Sequence, residues 1–84
     1  MKLKWDEDAW KDYLYWHTQD RKALKRVNTI LTDIMRSLYE GIGKPEPLKY
    51  SNGYWSRRID EKNRVVYKIE ADSVVIAAVR GHYD

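Results

Sequence analysis

The clearest pattern in the chain runs from Ala23 to Leu38, where Ala23, Leu24, Val27, Ile30, Leu31, Ile34, Met35 and Leu38 recur by threes and fours. That spacing lays them along one face of an α-helix, which Asp20 can cap at its start. The helix is expected to stop before Gly41-Ile42-Gly43. A shorter helix precedes it: Asp6 reads as a cap, Glu7 and Asp8 suit the first turn, and Trp10, Tyr13, Leu14 and His17 follow at helical spacing to an end near Thr18 or Gln19. Ahead of both, Lys2 to Trp5 alternates polar and apolar, with Leu3 and Trp5 on one side, and predicts a short first strand.

Beyond the glycines the period changes. Lys44-Pro45-Glu46-Pro47 cannot be helical, because two prolines push the backbone toward extended conformations, so a stiff loop is expected there. Period-two segments follow at Tyr54 to Ile59, Arg64 to Glu70 and Val74 to Arg80, joined by connections short enough for antiparallel hairpins. Valine and isoleucine dominate the last two, which predicts that they form the centre of the sheet. The expected fold is α+β, an N-terminal strand and two amphipathic helices packed on one face of an antiparallel sheet. At 84 residues the chain is expected to form a single domain, 1–84, with one modest core.

Composition narrows the function classes. There is no cysteine, so disulfides and thiolate chemistry are excluded, and two histidines, His17 and His82, leave too few soft ligands for a structural zinc. No metal or cofactor is expected. The N-terminus lacks an apolar run like that of a signal peptide, and no segment approaches the roughly 20 apolar residues that span a bilayer, so a cytoplasmic protein without a membrane role is expected. The net charge of +3 says little alone, but Lys44 to Lys68 carries seven basic residues against three acidic ones, a net of +4. An anionic ligand near that stretch fits this distribution.

Several residues there could carry chemistry. The prolines flanking Glu46 fix its backbone and reduce the entropy lost in holding a carboxylate, which suits a general base, although a solvated loop glutamate is the commoner case. In the strand from Arg64, alternation puts Arg64, Val66, Lys68 and Glu70 on one face and Val65, Tyr67 and Ile69 on the other. With helices on the apolar side, Arg64 and Lys68 are expected on the open surface, where a guanidinium can bind phosphate. By the same parity Arg58, not Arg57, is the open arginine of the preceding strand, beside Tyr54, which could stack on a base. His82 continues the Arg80 face and could donate a proton near neutral pH, where a frayed terminal histidine is the plainer alternative. His17, on the aromatic side of the first helix, is assigned to packing.

An ordered set of segments resembles a known family, the YoeB-type mRNA interferases of the RelE toxin superfamily. These are Trp10 with Asp12-Tyr13-Leu14-Tyr15-Trp16; Glu40-Gly41 and Gly43-Lys44-Pro45-Glu46-Pro47-Leu48-Lys49; Tyr54-Trp55-Ser56-Arg57-Arg58-Ile59; Arg64-Val65-Val66-Tyr67; and Ile76-Ala77-Ala78 with His82-Tyr83. The resemblance implies a microbial-ribonuclease-like fold and a toxin that enters the A site of the 70S ribosome, cuts the displayed mRNA codon and is neutralised by a YefM-like antitoxin. It also implies Glu46 as general base, Arg64 as the phosphate-stabilising arginine and His82 as general acid. Lys49, Arg58 and Tyr83 match supporting positions around the cut phosphate, and Lys44 joins them as a phosphate-binding candidate. Two features depart from the family pattern: the turn Tyr50-Ser51-Asn52-Gly53 is one residue shorter, and Asp84 follows Tyr83.

Two rival readings remain at this stage. The basic strands alone would equally suit a repressor or RNA-binding module without catalysis. The aromatic residues around Trp10, Tyr13 and Trp16 would suit a partner-binding surface, for a homodimer or for the antitoxin.

Overall fold

A computed structural model describes residues 1–49 and 51–81. Strand β1 (Lys2–Trp5) leads into helices α1 (Glu7–Gln19) and α2 (Arg21–Arg36), followed by strands β2 (Glu46–Pro47), β3 (Trp55–Arg58), β4 (Arg64–Glu70) and β5 (Ser73–Ala78). The five strands form one sheet in the order β1-β5-β4-β3-β2. β3, β4 and β5 pair antiparallel, as expected, and β2 joins β3 in the same sense, whereas β1 runs parallel to β5, with Leu3 opposite Val74 and Trp5 opposite Ile76. The sheet is thus mixed at that edge. Among the described residues no helix is long and apolar enough to cross a membrane.

The periodicity of α2 becomes the core. Val27, Ile30 and Ile34 are fully buried against Val65, Tyr67, Val74, Ile76 and Val79 of the sheet, and Ala9 and Trp16 of α1 close the same cluster. Asp20 joins the two helices without a loop: its N–H donates to the Trp16 carbonyl at 3.1 Å, ending α1, and its carboxylate accepts from Ala23 N at 3.0 Å, starting α2. Asp6 occupies the expected cap position of α1 but makes no side-chain capping bond.

Three boundaries differ from the sequence-based expectation. α2 stops at Arg36, short of Leu38, where Ser37 turns extended. The segment around Glu46 is a two-residue edge strand, not merely a loop. β5 ends at Ala78, after a bulge between the Val66–Ala78 and Tyr67–Ile76 pairs.

The aromatic residues of α1 divide. Trp16 is buried and its Nε1 donates to the Val79 carbonyl at 2.7 Å, so it belongs to the core and not to an outer aromatic surface. Trp10 is exposed and stacks at 5.6 Å on Tyr13, which lies 4.9 Å from Trp5 and meets His17 edge-on at 4.9 Å. His17 itself is exposed, so its packing is confined to that edge contact.

Candidate active site

The face of the sheet turned away from the helices is organised by strand register. Glu46 pairs with Ser56, Ser56 with Val66 and Val66 with Ala78, while Arg58 pairs with Arg64. Directly paired residues project to the same side. Glu46, Ser56, Val66 and Ala78 therefore form one row across the face, and Arg58 and Arg64 stand in the next. With strands about 4.8 Å apart and a rise of about 3.4 Å per residue, the Glu46 Cα lies roughly 8 Å from that of Arg58 and roughly 12 Å from that of Arg64. Ser56 and Val66, beside Glu46 in its row, are buried, whereas Glu46 and Arg58 are exposed.

The strand that carries Glu46 is tied down on both sides. Arg58 N donates to the Gly43 carbonyl at 2.6 Å, and Leu48 N to the Tyr54 carbonyl at 2.9 Å. Pro45 and Pro47 restrict what lies between. Gly43 has a φ of +80°, and a Cβ there would come within 2.9 Å of the Arg58 carbonyl, so this approach of loop to strand requires glycine. Exposed Lys44 adopts a φ of 51°, in the left-handed region, at a cost of about 1–2 kcal/mol for a side-chain-bearing residue. Strain of that kind next to a candidate catalytic group accords with a functional constraint.

Behind this strand lies an ion pair that sequence reasoning did not single out. Arg57 is completely buried, and its Nη1 donates to Asp33 Oδ2 at 2.5 Å. Its Nη2 donates to the Ser37 and Glu40 carbonyls at 2.6 and 2.8 Å, and Nε to the Tyr67 hydroxyl at 3.2 Å. That hydroxyl in turn donates to the Leu38 carbonyl at 2.8 Å. These carbonyls lie beyond the end of α2, so Arg57 and Tyr67 satisfy backbone acceptors that the helix leaves without partners. Asp33 also accepts from Ile42 N at 3.0 Å and from Arg36 Nη2 at 2.6 Å. The Ile42 N–H, then Arg57, then Arg36 hold its carboxyl below the usual aspartate range. The pair was legible in one respect: Asp33 and Arg57 are charged residues on otherwise apolar faces, and buried charges need each other.

Arg64 corrects an expectation. Its strand parity is as anticipated, with Val65 and Tyr67 in the core, but the side chain is only 6% exposed and does not stand free on the open surface. Its Nη1 donates to the Asp60 and Asn63 carbonyls at 2.7 and 3.1 Å, because the tight β3–β4 connection turns those acceptors back toward it. Arg58 is the exposed arginine, as parity required. Lys68 is partly buried, with Nζ 4.9 Å from the Tyr54 ring centroid and 3.6 Å from Glu70, so Tyr54 serves as its platform. Lys49 is exposed beyond β2. The register thus brings Glu46, Arg58 and Arg64 onto one face, with Lys44 at its margin. His82 and Tyr83 lie outside the described residues, as does Tyr50.

Residues 5–83 match the model of the YoeB-like toxin of bacterial type II toxin–antitoxin systems. The chain belongs to that family. It is 52% identical to a toxin YoeB of Escherichia coli over 84 residues, 99% of this chain and all of that one. A solved YoeB/ParE toxin from Agrobacterium tumefaciens superposes with a TM-score of 0.95 at 37% identity, covering 99% of this chain and 100% of that one. A YoeB from Staphylococcus aureus, 39% identical and covered to 98% against 99% of this chain, superposes as a dimer with a TM-score of 0.92 and in a heterotetrameric YoeB–YefM complex with 0.88. The chain is accordingly a type II toxin with the α+β fold of its relatives.

Proposed function

We propose that this toxin is an endoribonuclease that cuts mRNA codons in the A site of the 70S ribosome, without a metal, and so inhibits translation in the cytoplasm. The observation that carries the reading is the register that sets exposed Glu46 one row from the Arg58–Arg64 pair on the face turned away from the helices. A carboxylate in a phosphate-binding surface weakens anion binding, so its presence there is best accounted for by use as a base.

In this reading Glu46 takes the proton from an RNA 2′-hydroxyl, whose oxygen attacks the adjacent phosphorus. Arg64 and Arg58 stabilise the charge gathering on the phosphoryl oxygens, with Lys44, Lys49 and Tyr83 supporting the phosphate. His82 gives its proton to the departing 5′-oxygen. The P–O5′ bond breaks as the new P–O2′ bond forms, leaving a 2′,3′-cyclic phosphate and a 5′-hydroxyl. Arg64 suits its role because its turn contacts leave the side chain pre-positioned, at little entropic cost when phosphate arrives.

General acid–base help supplies roughly 10²–10⁴-fold and an electrostatic donor about 10²–10³-fold. Together these reach about 10⁴–10⁷, and alignment of the attacking oxygen must supply much of the rest. A flat sheet face has little means of twisting free RNA into line, so the ribosome supplies the clamp. Cleavage is therefore expected to be far faster on translated message than on naked message. Primer extension on message translated in a purified system, comparing wild type with Glu46→Ala, tests this directly. Full cutting by Glu46→Ala, or equal rates on naked RNA, would sink the base assignment or the ribosome's role respectively.

Two partners follow from the same reading. A YefM-like antitoxin, as in the S. aureus heterotetramer, would neutralise the basic face. Exposed Trp10 and Leu14, contiguous with Tyr13 and Trp5, favour a homodimer contact through this surface, and a relative has been solved as a dimer.

A further inference from the structure

The connection between β3 and β4 is more elaborate than a tight turn requires. Asp60 Oδ1 accepts from the backbone N–H of Lys62 and of Asn63, both at 2.8 Å. The Asn63 amide nitrogen donates to Asp60 Oδ1 and Oδ2 at 3.1 and 3.2 Å. Although partial burial pulls the Asp60 carboxyl upward, these donors from Lys62 and Asn63 hold it below the usual range, so it is charged and purely an acceptor. The Asn63 amide oxygen faces the other way and accepts from Gly81 N at 2.9 Å. Only one orientation of the amide satisfies both neighbours, since a carboxylate needs a donor and a backbone N–H needs an acceptor.

The same residue reaches Arg64 through its backbone. The Asn63 carbonyl accepts from Arg64 Nη1 at 3.1 Å, and Arg64 N donates to the Gly81 carbonyl at 2.9 Å. Gly81 directly precedes His82. Asn63 therefore contacts both the guanidinium proposed to stabilise the phosphate and Gly81, the residue before the proposed acid, a connection between two parts of the chain that are distant in sequence.

We infer that Asn63 is a positioning residue, which fixes Gly81, the residue before the proposed acid, relative to Arg64, while Asp60 locks the direction of its amide. This inference rests on the acid–base reading of the site. A misplacement of about 1 Å in a reacting group can cost on the order of 10²-fold in rate, so a single amide at this junction has the leverage to matter.

The test uses the full-length toxin on translating ribosomes, with kcat and KM measured separately, and the hydrogen exchange of the Gly81 amide as a readout independent of cutting. Asn63→Leu is expected to lower kcat by about 10–100-fold with KM changed less than about 3-fold, and to speed Gly81 exchange while Val65 and Val74 amides keep their protection. Asn63→Asp, which sets two carboxylates against each other, should be equally slow. The exchanged pair Asp60→Asn with Asn63→Asp restores a donor facing an acceptor and leaves an acceptor for Gly81, so it should recover most of kcat and the Gly81 protection. Wild-type kcat in both single variants would overturn the inference, as would an exchanged pair that regains Gly81 protection and stays slow. Glu46→Ala run alongside separates the two levels: if it cuts like wild type, the acid–base reading fails, whatever the Gly81 exchange shows.

Discussion

Arg57 and Arg58 are neighbours of identical chemistry with opposite fates. Arg57 is wholly buried, its guanidinium bonded to Asp33, to three carbonyls and to the Tyr67 hydroxyl, and Arg58 is exposed beside the Glu46 row. Strand alternation decides which points where, and the partner across the core decides whether the buried position is tolerable. One arginine anchors to the core the segment that follows a helix. The other is left available for a ligand.

The largest expected effect breaks the buried side. Arg57→Met leaves Asp33 as a buried carboxylate short of its main cation and should cost about 3–5 kcal/mol, read as a fall in thermal midpoint by circular dichroism. Adding Asp33→Leu should recover part of that loss, and no recovery would mean that the carbonyl contacts of Arg57, not the ion pair, dominate. Next comes Gly41→Ala. Gly41 has a φ of +126°, and a Cβ there would overlap the Asp33 carboxylate, so the variant should lose about 1–3 kcal/mol by the same measurement.

A pH titration sharpens the comparison further. The Asp33 carboxyl is lowered in the folded state by the Ile42 N–H, Arg57 and Arg36, so its stabilising contribution is complete above the unfolded aspartate value of about 3.9. It is lost as the pH falls through the lower folded value. Denaturant unfolding between about pH 2 and 6 should therefore show an acid-side decline that is shallower in Asp33→Asn. An unchanged slope would remove Asp33 from the acid response. The smallest stability effect belongs to Arg58→Ala, within about 0.5 kcal/mol of wild type, yet it should slow cleavage by about 10²-fold. A strongly destabilised Arg58→Ala would abolish the contrast between the two arginines.

What the sequence made legible was periodic. The α2 stripe, the parity of β4 and the choice of Arg58 over Arg57 all depend on spacing alone, and all appear in the structure. What it concealed was polar and non-local. The carbonyls of Ser37 and Glu40, beyond the end of α2, are bound by Arg57 on β3, and no local signal at Ser37 announces that contact. The burial of Arg64 depends likewise on where the Asp60 and Asn63 carbonyls turn. Glu46 was read as a loop residue because its prolines dominate the local signal, while its pairing with Ser56 depends on a strand nine residues further on.

The parallel pairing of β1 with β5 has a bearing on how the toxin is made. β5 lies between β1 and β4, so the first strand synthesised waits for the last one before it gains a neighbour. Until Ser73–Ala78 clears the exit tunnel, α2 has no completed sheet to cover and β1 has no ladder to join. β1 and α2 are thus expected to stay without their sheet partners until β5 has been made, so the harmful surface is assembled late and inhibitor already in the cell can capture the product as it folds.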